Sequence, residues 1–263
     1  MKRYAIEKLK KHHRSPLFDK SLPVAFLWSP KAGCTVLTKW FFYQIGHLEK
    51  AMKINPSIHV YKGMFTKKYK SYKEIESGGA KIYKLVRNPY KRAVSSYFTI
   101  ANYCYSKGIP NLPMDKDKQR ITSMFYPLTP YKGISFKQFL YYLDGRGADY
   151  TLVDGHISKQ YCPEEDYLSP KIIKLENFNK EINRLQIKYN LKQTPANVLS
   201  TPHSYTKKMR QQADFTPDTI ITPSQFVNGS LPEYKELFDH ETIQLCNHIF
   251  HDDFSHYNYL KKH

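Results

Sequence analysis

Val24-Ala25-Phe26-Leu27-Trp28-Ser29-Pro30-Lys31-Ala32-Gly33-Cys34-Thr35 is the stretch from which the fold class is read. Its first five residues form a compact apolar run that stops at Ser29-Pro30, as a buried strand would. After Gly33 the period changes. Val36, Leu37, Trp40, Phe41, Ile45 and Leu48 recur at three- and four-residue steps, the spacing of an amphipathic helix. Residues 24–49 therefore read as strand, short glycine-containing loop, helix.

Outward from this stretch the alternation returns. Lys81-Ile82-Tyr83-Lys84-Leu85-Val86 reads as a second strand, broken by Arg87-Asn88-Pro89. Pro89 suits the first turn of a helix, which then carries Ala93, Val94, Tyr97 and Ile100 on one stripe. Lys171-Ile172-Ile173-Lys174-Leu175 reads as a third strand ending at Glu176, and helices are expected over 136–143, 177–189 and 232–250. Residues 1–20 are basic and polar, an arm or a short helix. Residues 105–135 hold Pro110, Pro113, Pro127 and Pro130 and read as a long loop, an excursion over the fold. Strands alternating with helices predict an α/β fold, a central parallel sheet flanked by helices on both faces. A chain of 263 residues fits one domain over 21–263 after the basic arm.

Composition narrows the partners. Lys and Arg total 41 against 23 Asp and Glu, a formal net charge of +18. That surplus calls for an anionic partner: nucleic acid, anionic lipid, an acidic glycan or a phosphorylated cofactor. With 22 Tyr and 15 Phe the chain can build a core, which excludes a disordered polycation. Cys34, Cys104, Cys162 and Cys246 form no C-x-x-C pair, so neither a zinc site nor a dense disulfide framework is expected. No signal peptide and no apolar run long enough to span a bilayer is read. The expected location is cytoplasmic, or a soluble domain trimmed from a membrane-anchored enzyme.

Two segments carry chemistry. Ser29 to Thr35 joins a strand to a helix, where backbone N–H groups and the positive end of the helix dipole hold an anion. Gly33 permits close approach, Thr35 adds a hydroxyl and Lys31 a charge. The Walker A spacing is absent. The alternative is an ordinary turn with a solvated Lys31. The second segment is Arg87-Asn88-Pro89-Tyr90-Lys91-Arg92-Ala93-Val94-Ser95-Ser96-Tyr97. Arg87 at a strand end can fork onto a phosphate, and Ser95, eight residues on, can add a hydrogen bond. Arg92 and Ser95 share a helix face. Here the alternative is a basic helix start.

Together, Pro-Lys-Ala-Gly-Cys-Thr and Arg-x-Pro-x-x-Arg-x-x-Ser-x-Tyr resemble the two binding motifs for 3′-phosphoadenosine-5′-phosphosulfate (PAPS) in sulfotransferases, most closely the carbohydrate, family 2-like branch. The resemblance implies a P-loop-NTPase-like sheet and a PAPS donor without metal. It implies that Lys31, Ala32, Gly33, Cys34 and Thr35 bind the 5′-phosphosulfate, and that Arg87 and Ser95 bind the 3′-phosphate. Asp154-Gly155-His156 with Gln160 is similar to the family's D-x-H-x-x-x-Q segment, with Ile157 in place of an aromatic and Lys159 in place of Pro. Lys174-Leu175-Glu176-Asn177-Phe178 and Phe250-His251-Asp252-Asp253-Phe254, with Tyr257 and Tyr259, resemble two further family segments.

Sulfuryl transfer is in-line displacement governed by positioning and electrostatics. Lys31 is expected to stabilise charge on the bridging oxygen. His156 is the candidate general base, with His203 as competitor and Glu176 as an orienting group. Residues 203–208 are read as a cover for the cofactor. Lys62, Lys67, Lys68, Lys70 and Lys73 form a Tyr-interleaved basic stretch, either a solvated face or a groove for an anionic glycan. The resemblance implies an acceptor that is a glycan or glycan precursor, with 105–150 as an acceptor-side excursion and no nucleic-acid partner; peripheral membrane contact stays open. The competing readings are a P-loop kinase and a non-enzymatic glycan- or nucleic-acid-binding protein.

Overall fold

The three apolar runs form three strands in a computed structural model of the protein, which describes residues 1–68, 72–103, 112–200, 205–212 and 214–263. The strands are β1 (Val24–Leu27), β2 (Lys81–Val86) and β3 (Lys171–Lys174). In chain order the helices are α1 (Lys2–Lys11), α2 (Cys34–Gln44), α3 (Leu48–Ile54), α4 (Ile58–Lys68), α5 (Lys73–Ser77), α6 (Pro89–Ala101), α7 (Pro113–Phe125), α8 (Phe136–Arg146), α9 (Phe178–Lys188), α10 (Ala196–Leu199), α11 (Gln225–Asn228), α12 (His240–Ile249) and α13 (His251–His256). Among the described residues the strands form one parallel sheet in the order β1-β2-β3. The protein is thus mixed α/β, with a small open parallel sheet and flanking helices.

The chain groups into two compact units. The first is Met1–Arg87 with Cys162–Pro202, and the second is Asn88–Tyr161 with His203–His263. The first holds the sheet. Its core gathers Phe26 and Tyr83 from the strands, Trp40 and Phe41 from α2, and Phe178 and Ile182 from α9. Each such side chain, fully buried, contributes about 1.5–3 kcal/mol. Residues 2–11 join this unit as α1, which buries Ala5, Ile6 and Leu9.

The second unit is helical. Tyr97 and Phe98 of α6 pack with Phe136, Phe139 and Leu140 of α8 and Phe254 of α13. Its helices start where the sequence supplies caps: Asn88 accepts from Lys91 N–H before α6, and Ser135 and Gln138 close a capping box before α8.

Three expectations need correction. The helix expected to run from residue 34 through Leu48 stops at Gln44, because Gly46 turns left-handed at φ 73 and His47 N–H bonds back to the Phe42 carbonyl at 2.7 Å. The loop expected over 105–135 contains α7, which begins at Pro113 and buries Met114 and Ile121. The helix expected over 232–250 is a short 3-10 turn, Tyr234–Leu237, followed by α12 behind the Asp239 cap. Among the described residues no helix is long and apolar enough to cross a membrane.

Candidate active site

β1 and β2 run parallel with Leu27 opposite Lys84, so the Ser29–Gly33 loop and Arg87 leave the sheet at the same, carboxyl-terminal edge. Open α/β sheets bind ligands at that edge. Two residues of the loop are left-handed, Lys31 at φ 66 and Gly33 at φ 85. A turn of this kind swings successive N–H groups to one side and makes an anion-binding concavity. For Lys31 the conformation costs about 1–2 kcal/mol. Arg87 holds the turn, its Nη1 donating to the Lys31 carbonyl at 3.1 Å. At Gly33 a side chain is doubly excluded: φ is positive, and a Cβ would come within 2.5 Å of Leu175 Cδ1. No side chain caps α2, so its first-turn N–H groups have no intrahelical acceptor.

A buried ion pair supports the loop from below. Lys84 Nζ donates to Ser29 Oγ at 2.9 Å and pairs with Glu165, all three side chains being buried. Ala32 N–H closes the turn on the Ser29 carbonyl at 3.3 Å.

α4 packs on α2 and adds two residues that no motif announced. His59 Nε2 lies 3.0 Å from Thr35 Oγ1 and 3.9 Å from Cys34 Sγ. Lys62 Nζ lies 3.1 Å from the centre of the Trp28 ring. Burial pushes the Cys34 thiol up, but the hydrogen bond and charge of His59, with Lys62 and Lys31 adding, outweigh it and bring the thiol down to about 6. Burial lowers the Lys62 amine to about 8, with Cys34 acting against it. Of the two readings of the basic stretch, a solvated face and a glycan groove, the solvated face does not hold for Lys62, which is buried. Lys67 and Lys73 are exposed; Lys70 and the Lys68 side chain lie outside the described residues.

The remaining candidates lie in the second unit. Ser95 is half-buried on α6, and its carbonyl accepts from Thr99 Oγ1 at 2.8 Å. Arg92, on the same helix, is turned inward: its guanidinium donates to the carbonyls of Ser158 at 2.5 Å and Gly155 at 3.4 Å. That fastens the segment bearing His156, whose side chain is 51% exposed. His156 Nδ1 lies 2.7 Å from Asp154 Oδ1. A carboxylate there favours the tautomer with Nδ1 protonated, leaving Nε2 to accept a proton. Asp253 accepts from Gln160 N–H at 2.9 Å and Tyr161 N–H at 2.8 Å. Of the expected cofactor cover, His203 and Ser204 lie outside the described residues. Lys208 donates to the Val227 carbonyl at 3.1 Å.

A profile of the sulfotransferase family matches residues 17–260. The chain belongs to the sulfotransferase family. No curated protein and no solved structure gives a match. In this sulfotransferase the structure brings Lys31, Ala32, Gly33, Cys34, Thr35 and Arg87 together in the first unit, with His59 and Lys62 beside them. Ser95 and His156 each take their place in the second. Glu176 is exposed just after β3. His59 and Lys62 were not legible because they sit on a helix with no phosphate motif, and only packing against α2 gives them meaning.

Proposed function

We propose that this sulfotransferase takes its sulfuryl group from PAPS and transfers it to a hydroxyl of a carbohydrate. The observation that carries the reading is the Lys31–Thr35 turn, with its left-handed backbone, its uncapped helix start and Arg87 clasped to it. Backbone N–H groups, the Thr35 hydroxyl and Lys31 make a donor set suited to a phosphosulfate. A P-loop-NTPase-like sheet is consistent with a strand, an anion-binding turn and a helix in that order. When bound, the donor supplies an activated sulfuryl group with a phosphate as leaving group. Lys31 then stabilises charge on that phosphate, Arg87 and Ser95 bind the 3′-phosphate, and His156 takes the acceptor proton at Nε2, oriented by Asp154. The family match spans both units, and residues 21–263 are read as one catalytic domain.

Thermal unfolding with 3′,5′-adenosine bisphosphate, ADP, and ATP with Mg²⁺ tests this. Bisphosphate at about 100 times its Kd should stabilise the protein by about 2.7 kcal/mol, and Arg87→Ala should abolish the effect. Equal stabilisation by ADP or ATP would point to a kinase. No stabilisation by any nucleotide would remove the PAPS reading and leave a glycan-binding protein ahead.

A further inference from the structure

Lys62 is out of place for a residue with no motif. It is 8% exposed, and an ammonium that has lost its water is costly to keep unless opposite charge or acceptors replace the hydration. Among the described residues no carboxylate pairs with it. Its amine lies over the Trp28 ring, a cation–π contact that strengthens when desolvated, and the charge acting on it is that of Cys34. Cys34 is the first residue of α2. Three positions back on the same face of α4, His59 contacts Thr35. A buried cation thus sits beside a helix start that already presents N–H donors.

We propose that Lys62 is a second cation of the donor site, its ammonium taking an anionic oxygen of the sulfuryl group carried at the Lys31–Thr35 turn. The inference rests on reading that turn as the phosphosulfate site. Lys31 faces the turn from its own loop and Lys62 from α4, so charge on the transferred group meets a cation from each. Burial holds the amine down at about 8, and an anion seated beside it reverses that shift. The indole of Trp28 keeps water from one side of the amine, which strengthens its pull on an anion.

Equilibrium binding of PAPS, 3′,5′-adenosine bisphosphate and inorganic pyrophosphate to wild type, Lys62→Met and Lys62→Arg tests the assignment. Met keeps the length of the chain and removes the charge; Arg restores a cation. Lys62→Met should weaken PAPS and pyrophosphate about tenfold or more, the loss of one charge-assisted hydrogen bond, while the bisphosphate, which lacks the sulfuryl group, is retained. Lys62→Arg should recover part of the loss. In wild type alone, PAPS should protect Lys62 from amine acylation, read by mass spectrometry, and the bisphosphate should not. That measurement decides the matter even if Lys62→Met does not fold. Unchanged affinities in a folded Lys62→Met overturn the proposal, and so does equal loss of all three ligands, which would mean a disturbed loop. If wild type binds pyrophosphate but neither nucleotide, and Lys62→Met loses it, the anion site stands and the PAPS reading falls. If wild type binds none of the three, both fall.

Discussion

The turn at 29–35, read as the donor site, and the segment at 154–161, which bears the candidate base His156, are built in opposite ways. The first is held from outside its own backbone. Arg87 takes the Lys31 carbonyl, and Lys84 with Glu165 braces Ser29, so the N–H groups at the start of α2 are left for a ligand. The second is held through its own backbone N–H groups. Asp154 N–H goes to Asp117 at 2.7 Å, His156 N–H to Asp154 at 2.8 Å, and the N–H groups of Gln160 and Tyr161 to Asp253. A segment whose donors are taken by carboxylates repels anions; what it offers is a fixed imidazole. The contrast separates a turn whose helix-start N–H groups have no intrahelical acceptor from a segment whose N–H groups are taken by carboxylates.

The comparison can be broken most forcefully at the brace. Lys84→Met leaves Glu165 buried without its cation and should cost about 3–5 kcal/mol in urea unfolding. The double variant Lys84→Met/Glu165→Leu should recover most of that, since an apolar pair can replace a buried ion pair. An undiminished loss in the double variant would mean that Ser29 positioning, not the unpaired charge, carries the effect. A smaller change comes at Asp253. Asp253→Asn weakens the bonds from Gln160 and Tyr161 and should cost about 1–3 kcal/mol, with bisphosphate affinity unchanged. Lost affinity in a folded Asp253→Asn protein would show that the second segment takes part in anion binding.

The smallest effect is a pH dependence. The Cys34 thiol is brought from an ordinary value of 9.0 to about 6 by its cationic neighbours against burial. The unfolded chain therefore binds more protons between these values, and the thiolate's stabilisation grows as pH rises from about 6 to 9 and is lost as pH falls through about 6. The stability difference between wild type and Cys34→Ser, followed over that range, should widen with pH. A constant difference would place Cys34 outside the reach of the cations on α4. Cys162, by contrast, is pushed up to about 12 by burial despite Arg14, and should stay unreactive to alkylation where Cys34 reacts.

How much was legible follows from range. Strands of four to six residues announced themselves because they are apolar and end at Pro30, Asn88-Pro89 and Glu176, and the turn after β1 because Gly33 changes the period. α7 was missed because Pro113 reads as a breaker when it in fact occupies a helix N1 position. The end of α2 was missed because Ile45 and Leu48 kept the helical spacing past Gly46, and local periodicity cannot see a left-handed residue. Helical spacing put Arg92 on one face with Ser95, but the carbonyls of Gly155 and Ser158 that its guanidinium meets lie more than sixty residues away in the chain.

By itself the sequence determined the α/β alternation, the glycine turn between β1 and α2 and the family, because these depend on neighbours within a few residues: hydrophobic period, a glycine where φ must be positive, a helix start. Only the tertiary structure decided which cations lie beside that turn. Lys62 and Lys67 are equal as letters in a basic run, yet one is buried over Trp28 and the other exposed. Charge acts through space and is worth most where water is excluded, and exclusion of water is a property of packing that no local spacing encodes.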